Sequence, residues 1–371
     1  MVEVILNKAC MPGKVLKDNS VFSLFEPDKI DKAEKFFHSM GHSPTPLEEL
    51  SDLSARLGLG RILLKDESSF MGLGSFKGRG GIWAMANILA QKVGLREFDL
   101  SSLQSALRGI SPALFVTATD GNHGKAIAWA ARFFGQEARI FMPRGASANI
   151  VEEVEKLGAQ CQVLNLNYDD TVRKAQNYAV REAAILLQDT AWPGYETFPG
   201  LIMQGYGTMV AEIWGQMEDF WPDYILLQAG VGSFAASFMA GFILESNRRG
   251  IKIPRFISLE PKNAACVLES VKANDGNSHA VAGDLETDMT GLSCGEVSQL
   301  AWPILRDNLF AACACSDELA HLGINILSDE KINSGPSGAI GAGFLDYARK
   351  NEVLRQLVGS SSNILLVSTE K

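Results

Sequence analysis

The sequence predicts an α/β protein with two open, doubly wound parallel-sheet domains, and three observations carry that expectation. From about residue 110 to residue 260, short β-branched apolar runs alternate with longer helical patterns, which is how βαβ units feeding a parallel sheet read. A second series of the same kind starts near residue 224 and returns at the C-terminal end. The 371 residues, 46% of them hydrophobic and 21% charged, fit two cores better than one.

Each element follows in order. ALFVTAT (113–119) reads as a buried strand, HGKAIAWAARFFG (123–135) as a helix and ARIFMP (138–143) as the next strand. A helix is expected over about 147–158, a strand at CQVLNL (161–166) and a helix over 168–184, where apolar residues recur at three- and four-residue steps. The second series runs through YILLQAG (224–230), a helix from Ser233 to Asn247, RFISLEP (255–261) and another helix. NLFAACAC (308–315) and NILLVST (363–369) add strands, separated by helices at about 316–327 and 336–350. The expected division is a large domain from 1–90 and 205–371 and a small domain from 91–204. The polar segment 270–293 is loop-like and fits either domain or the site.

The net charge of −9, with no long Lys/Arg run, speaks against nucleic-acid or anionic-membrane surfaces, which need clustered positive charge. No stretch approaches the roughly 18 uncharged apolar residues of a membrane span, and the first twenty residues show no export signal. Six cysteines at positions 10, 161, 266, 294, 313 and 315 make neither a disulfide framework nor a C-x-x-C zinc pair. The expected setting is therefore reducing and cytoplasmic. Cys266 and Cys294 lie in loops that a folded chain could bring together, which leaves one bridge open. The five histidines have no metal spacing, so no catalytic metal is expected.

Four segments carry chemistry. In Gly72-Leu73-Gly74-Ser75-Phe76-Lys77-Gly78-Arg79-Gly80, a lysine sits among glycines in a mostly uncharged loop before a helix. Partial desolvation there lowers an amine's pKa and makes it available for a Schiff base; a solvated loop lysine is the plainer alternative. Thr119-Asp120-Gly121-Asn122-His123-Gly124 joins a buried strand to a helix, where backbone N–H groups suit a carboxylate or a phenolate oxygen, unless Asp or Asn merely caps the helix. Such turns in open parallel sheets are where ligands bind.

Gly230-Val231-Gly232-Ser233 is a second strand-to-helix turn, able to cradle a phosphate through backbone donors and a hydroxyl. A dinucleotide turn would want a third glycine, and position 235 is Ala, although Glu260 stands at a fitting distance. Finally, Ser368-Thr369-Glu370 closes the last strand, and a hydroxyl there could meet a pyridine nitrogen, or simply end the strand.

Together these segments resemble the tryptophan-synthase-like, fold type II pyridoxal-phosphate enzymes, in which the lysine precedes the glycine phosphate loop. Within that group the sequence is most similar to the diaminopropionate ammonia-lyases. The likeness runs through TDGNHGKAIAWAA (119–131), NYDDTVRKA (167–175), QDTAWPGYE (188–196), IMQGYGTM (202–209), LQAGVGS (227–233), MTGLSCGE (289–296), SGPSGAIG (334–341) and VSTE (367–370).

The resemblance implies pyridoxal 5′-phosphate as cofactor and α,β-elimination of 2,3-diaminopropionate, as D and L isomers, to pyruvate and ammonia. It implies that Lys77 holds the cofactor as a Schiff base and abstracts the Cα proton, with Asp120 as a second base for the opposite face. Asn122 would bond the cofactor's O3′, Gly230, Val231, Gly232 and Ser233 its phosphate, and Ser368 or Thr369 its pyridine nitrogen. Asp120, His123, Asp189 and Ser337 would face the substrate, Asp189 attracting the β-ammonium group. A homodimer is implied as well.

Two departures from the family bear on substrate preference. The sequence ends at Lys371, straight after Ser368-Thr369-Glu370, where relatives continue with a glycine and a short segment, and position 336 is Pro where a Glu is familiar. The competing readings are another fold type II ammonia-lyase or dehydratase acting on serine, threonine or hydroxyaspartate, and a non-catalytic module that binds cofactor or amino acid.

Overall fold

The computed structural model describes residues 2–11, 20–352 and 354–371. The expected large domain and the reading of the first twenty residues also take in positions 1, 12–19 and 353, which lie outside the described residues.

Strands β1 (Val2–Leu6), β2 (Leu47–Glu49) and β3 (Ile62–Asp66) precede the first βαβ series. That series supplies β4 (Leu114–Ala118), β5 (Glu137–Met142), β6 (Gln160–Val163) and β7 (Ile185–Leu186). The second supplies β8 (Tyr224–Gln228), β9 (Arg255–Pro261), β10 (Leu309–Cys315) and β11 (Ile364–Ser368). The helices that matter for the site, in chain order, are α1 (Lys77–Lys92), α2 (Asn122–Phe133), α3 (Ala148–Lys156), α4 (Tyr168–Arg181), α5 (Thr197–Gln216), α6 (Ser233–Arg249), α7 (Asp317–Asp329) and α8 (Pro336–Lys350).

The strands form two sheets. One has seven strands in the order β1-β10-β9-β8-β11-β3-β2, the other four in the order β6-β5-β4-β7. The small sheet is parallel throughout. The large sheet is parallel through its centre but carries antiparallel strands at both edges, β1 on β10 and β2 on β3. The fold class expected from the sequence holds, with the two edge strands added to it.

Side-chain alternation explains how one strand serves two layers. In β8, Ile225 and Leu227 join the apolar cluster that contains Phe238 and Phe242 of α6 and Met209 of α5. Tyr224 and Leu226 face the other way, into the cluster of Leu319 and Leu327 on α7 and Ile340 and Phe344 on α8. Both faces of the central strands are apolar, which is why they read as unbroken hydrophobic runs. In the small sheet, Phe115 and Ile140 pack toward α2 and α3, whereas Val116 and Phe141 pack on Val172 and Ala175 of α4.

Strands β1, β2, β3 and β7 have no counterpart in the sequence expectations. β1 is only half covered, β2 and β7 have three and two residues, and β3 ends in Lys65-Asp66, so none presents a long apolar run. Lys65 is fully buried nonetheless, because its ammonium donates to Glu212 at 2.8 Å, to the Thr45 carbonyl at 2.7 Å and to Gln216 at 2.8 Å.

Candidate active site

The sheet ends converge on one pocket. Lys77 opens α1, and its loop is stitched to the far end of the chain: Phe76 N–H donates to the Thr369 carbonyl at 3.1 Å, and Lys371 N–H donates to the Gly74 carbonyl at 3.1 Å. Two residues further, Arg79 is fully buried and spans Glu67 and Glu212 through four hydrogen bonds of 2.6–2.9 Å. A buried charge is tolerated only when its donors are satisfied in this way. The network locks the first turn of α1 between β3 and α5, and Lys77 with it.

Lys77 forms an ion pair with Asp189. Burial alone would lower the lysine's pKa, but the Asp189 charge, Tyr206 and the hydrogen bond that Lys77 donates to Asp189 outweigh it and hold the amine above the ordinary lysine range. The lowered pKa expected from the loop's composition is therefore corrected, because the counter-ion comes from a segment 112 residues away. Asp189 responds in kind: burial pushes its pKa up, yet Lys77 and then His123 bring it down to about 2. Its charge is thus spent on the protein's own lysine, and its second oxygen is buried without a partner.

Asp120 lines the same pocket. Burial raises its carboxyl to about 6; Lys77 works against this, and Glu370 and Asp189 add to it. His123 is buried, its Nε2 2.9 Å from the Leu187 carbonyl and its Nδ1 unpartnered. Burial depresses its pKa, with opposing pulls from Asp189 and Lys77, so the ring is neutral near pH 7.

The turn at 230–233 leads into the seventeen-residue helix α6, which has no acidic residue in its first turn and no side-chain cap. Its first N–H groups are left for an anion. Gly232 sits at φ +87°, and a Cβ there would come within 2.6 Å of Leu305. Gly232→Ala is expected to add about 1–2 kcal/mol of backbone strain. A lowered melting temperature and a weaker cofactor titration would register it, and unchanged cofactor affinity would count against a role for this turn in binding. The Ser233 hydroxyl donates to the Asp189 carbonyl at 2.7 Å, tying the turn to the lysine's counter-ion.

Asn122, Ser337 and Thr369 also line the pocket. Ser368 does not; its hydroxyl is buried 2.8 Å from that of Ser334. Asn122 donates to Glu370 at 2.5 Å. Gln228, Tyr168 and Gly291 are pocket residues that the sequence reading did not single out, and Glu370 and Cys294, which it named only at the end of the last strand and as a possible bridge partner, line the pocket too. The 289–296 stretch, whose first residues belong to the polar segment 270–293 that the sequence left open for the site, covers Gly230: a Cβ on that glycine would stand 3.2 Å from the Cys294 sulfur. Cys266 and Cys294 are both buried free thiols on either side of this turn.

The model of the pyridoxal-phosphate-dependent enzyme family matches residues 38–370. Diaminopropionate ammonia-lyase of Salmonella typhimurium is 42% identical over 89% of this chain and 85% of its own length. The same enzyme of Escherichia coli K12 is 37% identical over 96% of the chain and 92% of its length. The chain belongs to the diaminopropionate ammonia-lyase branch of this family. The crystal structure of the holo Escherichia coli diaminopropionate ammonia-lyase superposes with a TM-score of 0.89 at 34% identity, covering the whole of this chain and 93% of that one. The same protein in complex with an aminoacrylate-PLP azomethine reaction intermediate gives a TM-score of 0.86 at 34% identity, over 100% of this chain and 94% of that one.

The pocket fits pyridoxal phosphate on its own features. It offers one primary amine, an uncapped helix N-terminus for the phosphate, and buried polar atoms without partners on His123, Asp189, Gln228 and Ser337. Among the described residues, no group of three or more His, Cys, Asp or Glu is placed to hold a metal, and no helix is long and apolar enough to cross a membrane.

Proposed function

We propose that this protein eliminates ammonia from D- and L-2,3-diaminopropionate, leaving 2-aminoacrylate, which water hydrolyses to pyruvate and a second ammonia. The observation that carries the reading is the placing of one amine, Lys77, and one carboxylate of near-neutral pKa, Asp120, in the same pocket. When bound, pyridoxal phosphate supplies the electron sink that makes the Cα proton acidic.

The protein's residues do the rest. Lys77 is the covalent attachment point, with Asp189 as its counter-ion and neighbour to the substrate. Gly230, Val231, Gly232 and Ser233 hold the phosphate. Asn122 reaches toward the phenolate oxygen, and of the two candidate hydroxyls Thr369, the one in the pocket, faces the pyridine nitrogen. Lys77 takes the Cα proton of one isomer, and Asp120 that of the other. His123, neutral and buried, presents an unfilled ring nitrogen to the substrate, as Ser337 presents its hydroxyl.

Residues 1–90 and 205–371 are read as the cofactor-binding domain and 91–204 as the small domain that closes over the substrate. We read the protein as a cytoplasmic homodimer, the dimer being what its family resemblance implies. Incubation of the purified protein with each isomer, followed by pyruvate release, tests it. Pyruvate from serine or threonine but not from diaminopropionate would reject the substrate and favour the dehydratase alternative.

A further inference from the structure

Asp189 pairs with Lys77 while that lysine is a free ammonium, and it is not the pocket's only acidic group. The pocket holds a second group of oxygens. An atom at the Cβ position of Gly291 would stand 3.3 Å from the Ser337 hydroxyl and 3.6 Å from both an Asp120 and a Glu370 carboxylate oxygen. Ser337 is only 2% exposed, and its hydroxyl has no hydrogen-bond partner.

Glu370 is held in place from two sides. Asn122 donates to one oxygen at 2.5 Å, and the Ser337 backbone N–H donates to the other at 3.2 Å. The chain beneath it is pinned by Gly335 N–H on the Glu370 carbonyl at 3.0 Å. A carboxylate fixed in this way loses little side-chain freedom when a cation arrives.

We propose that Glu370, with Ser337 and Asp120, forms the subsite for the β-ammonium of the substrate, so that Glu370 determines the preference for a β-amine over a β-hydroxyl. This rests on the reading of 2,3-diaminopropionate as substrate. The subsite also serves the chemistry. The Cα–H electron pair becomes the new Cα–Cβ bond, the Cβ–N bond breaks, and its electron pair stays with nitrogen. Nitrogen leaves as neutral ammonia only if it was protonated beforehand, and adjacent carboxylates favour that protonated form. Serine in the same place would need a proton donor, which this subsite lacks when both carboxylates are ionised.

The test is Glu370→Gln in the holoenzyme, a substitution that keeps an oxygen for the Asn122 amide. Two unreactive probes, α-methyl-2,3-diaminopropionate and α-methylserine, lack the Cα proton and report binding through the visible absorbance of the cofactor. The variant is expected to bind the diamine about tenfold more weakly or worse, as for loss of a charged hydrogen bond, with α-methylserine changed less than about twofold. Ser337→Ala should show the same selectivity at about threefold, and it serves if Glu370→Gln does not fold.

Asp120 faces Lys77, Glu370 and Asp189, with His123, Tyr168 and Cys294 around the pocket. Removing the Glu370 charge is therefore also expected to move the acid limb of D-isomer kcat/KM to lower pH. Equal weakening of both probes, or of neither, would overturn the subsite. Absence of pyruvate from the unmodified enzyme would instead overturn the substrate reading.

Discussion

Lys77→Ala is expected to cut pyruvate release from either isomer by a thousandfold or more. A positioned proton-transfer group alone contributes roughly 10²–10⁴-fold, and here the same amine is also the attachment point for the cofactor. The purified variant should be colourless after dialysis, whereas the unmodified protein keeps the cofactor's visible absorption. A structural consequence comes with it. Asp189 is buried, with its charge balanced by Lys77, and an uncompensated buried carboxylate is destabilising. The variant should melt at lower temperature, and adding Asp189→Asn should recover part of the loss. Substantial turnover by Lys77→Ala would refute the assignment.

Asp120→Asn is the second large effect, and it should divide the isomers. The expected loss is about a hundredfold or more for the D isomer, the range for removal of a general base, and less than about tenfold for the L isomer. Equal losses would contradict a two-base pocket. The pH dependence follows from the direction of the shift. Burial raises the Asp120 carboxyl to about 6, with Glu370 adding to it and Lys77 opposing. A base works only when ionised, so D-isomer kcat/KM should be full above that value and fall tenfold per pH unit below it. L-isomer activity should not follow the same limb, and coincident limbs for the two isomers would count against Asp120 as the D-specific base.

The glycine turns at 119–124 and 230–233 are legible in the sequence because strand, turn and helix are each set by residues a few positions apart. The same holds for the central strands, whose runs of apolar residues announce burial on both faces. β3 escaped because Lys65 and Asp66 break its pattern, and the acceptors that make that lysine tolerable in the interior, Glu212 and Gln216 on a helix far along the chain and the Thr45 carbonyl, are brought to it by the fold. The protonation of Lys77 escaped for the same reason. Loop composition predicts desolvation, and the ion pair that overrides it is a tertiary event.

What the sequence determined by itself is the set of local parts: a lysine at a helix start, two strand-to-helix turns, and hydroxyls at the end of the last strand. Which of these face one another was decided by the tertiary structure alone. It turned Ser368 to Ser334 and Thr369 to the pocket, set Asn122 on Glu370 across 248 residues of sequence, and gave Asp189 to Lys77. The physical reason is range. Backbone preferences act over a few residues, whereas charges interact through space, and only the packing of two sheets brings these distant charges within a hydrogen bond of each other.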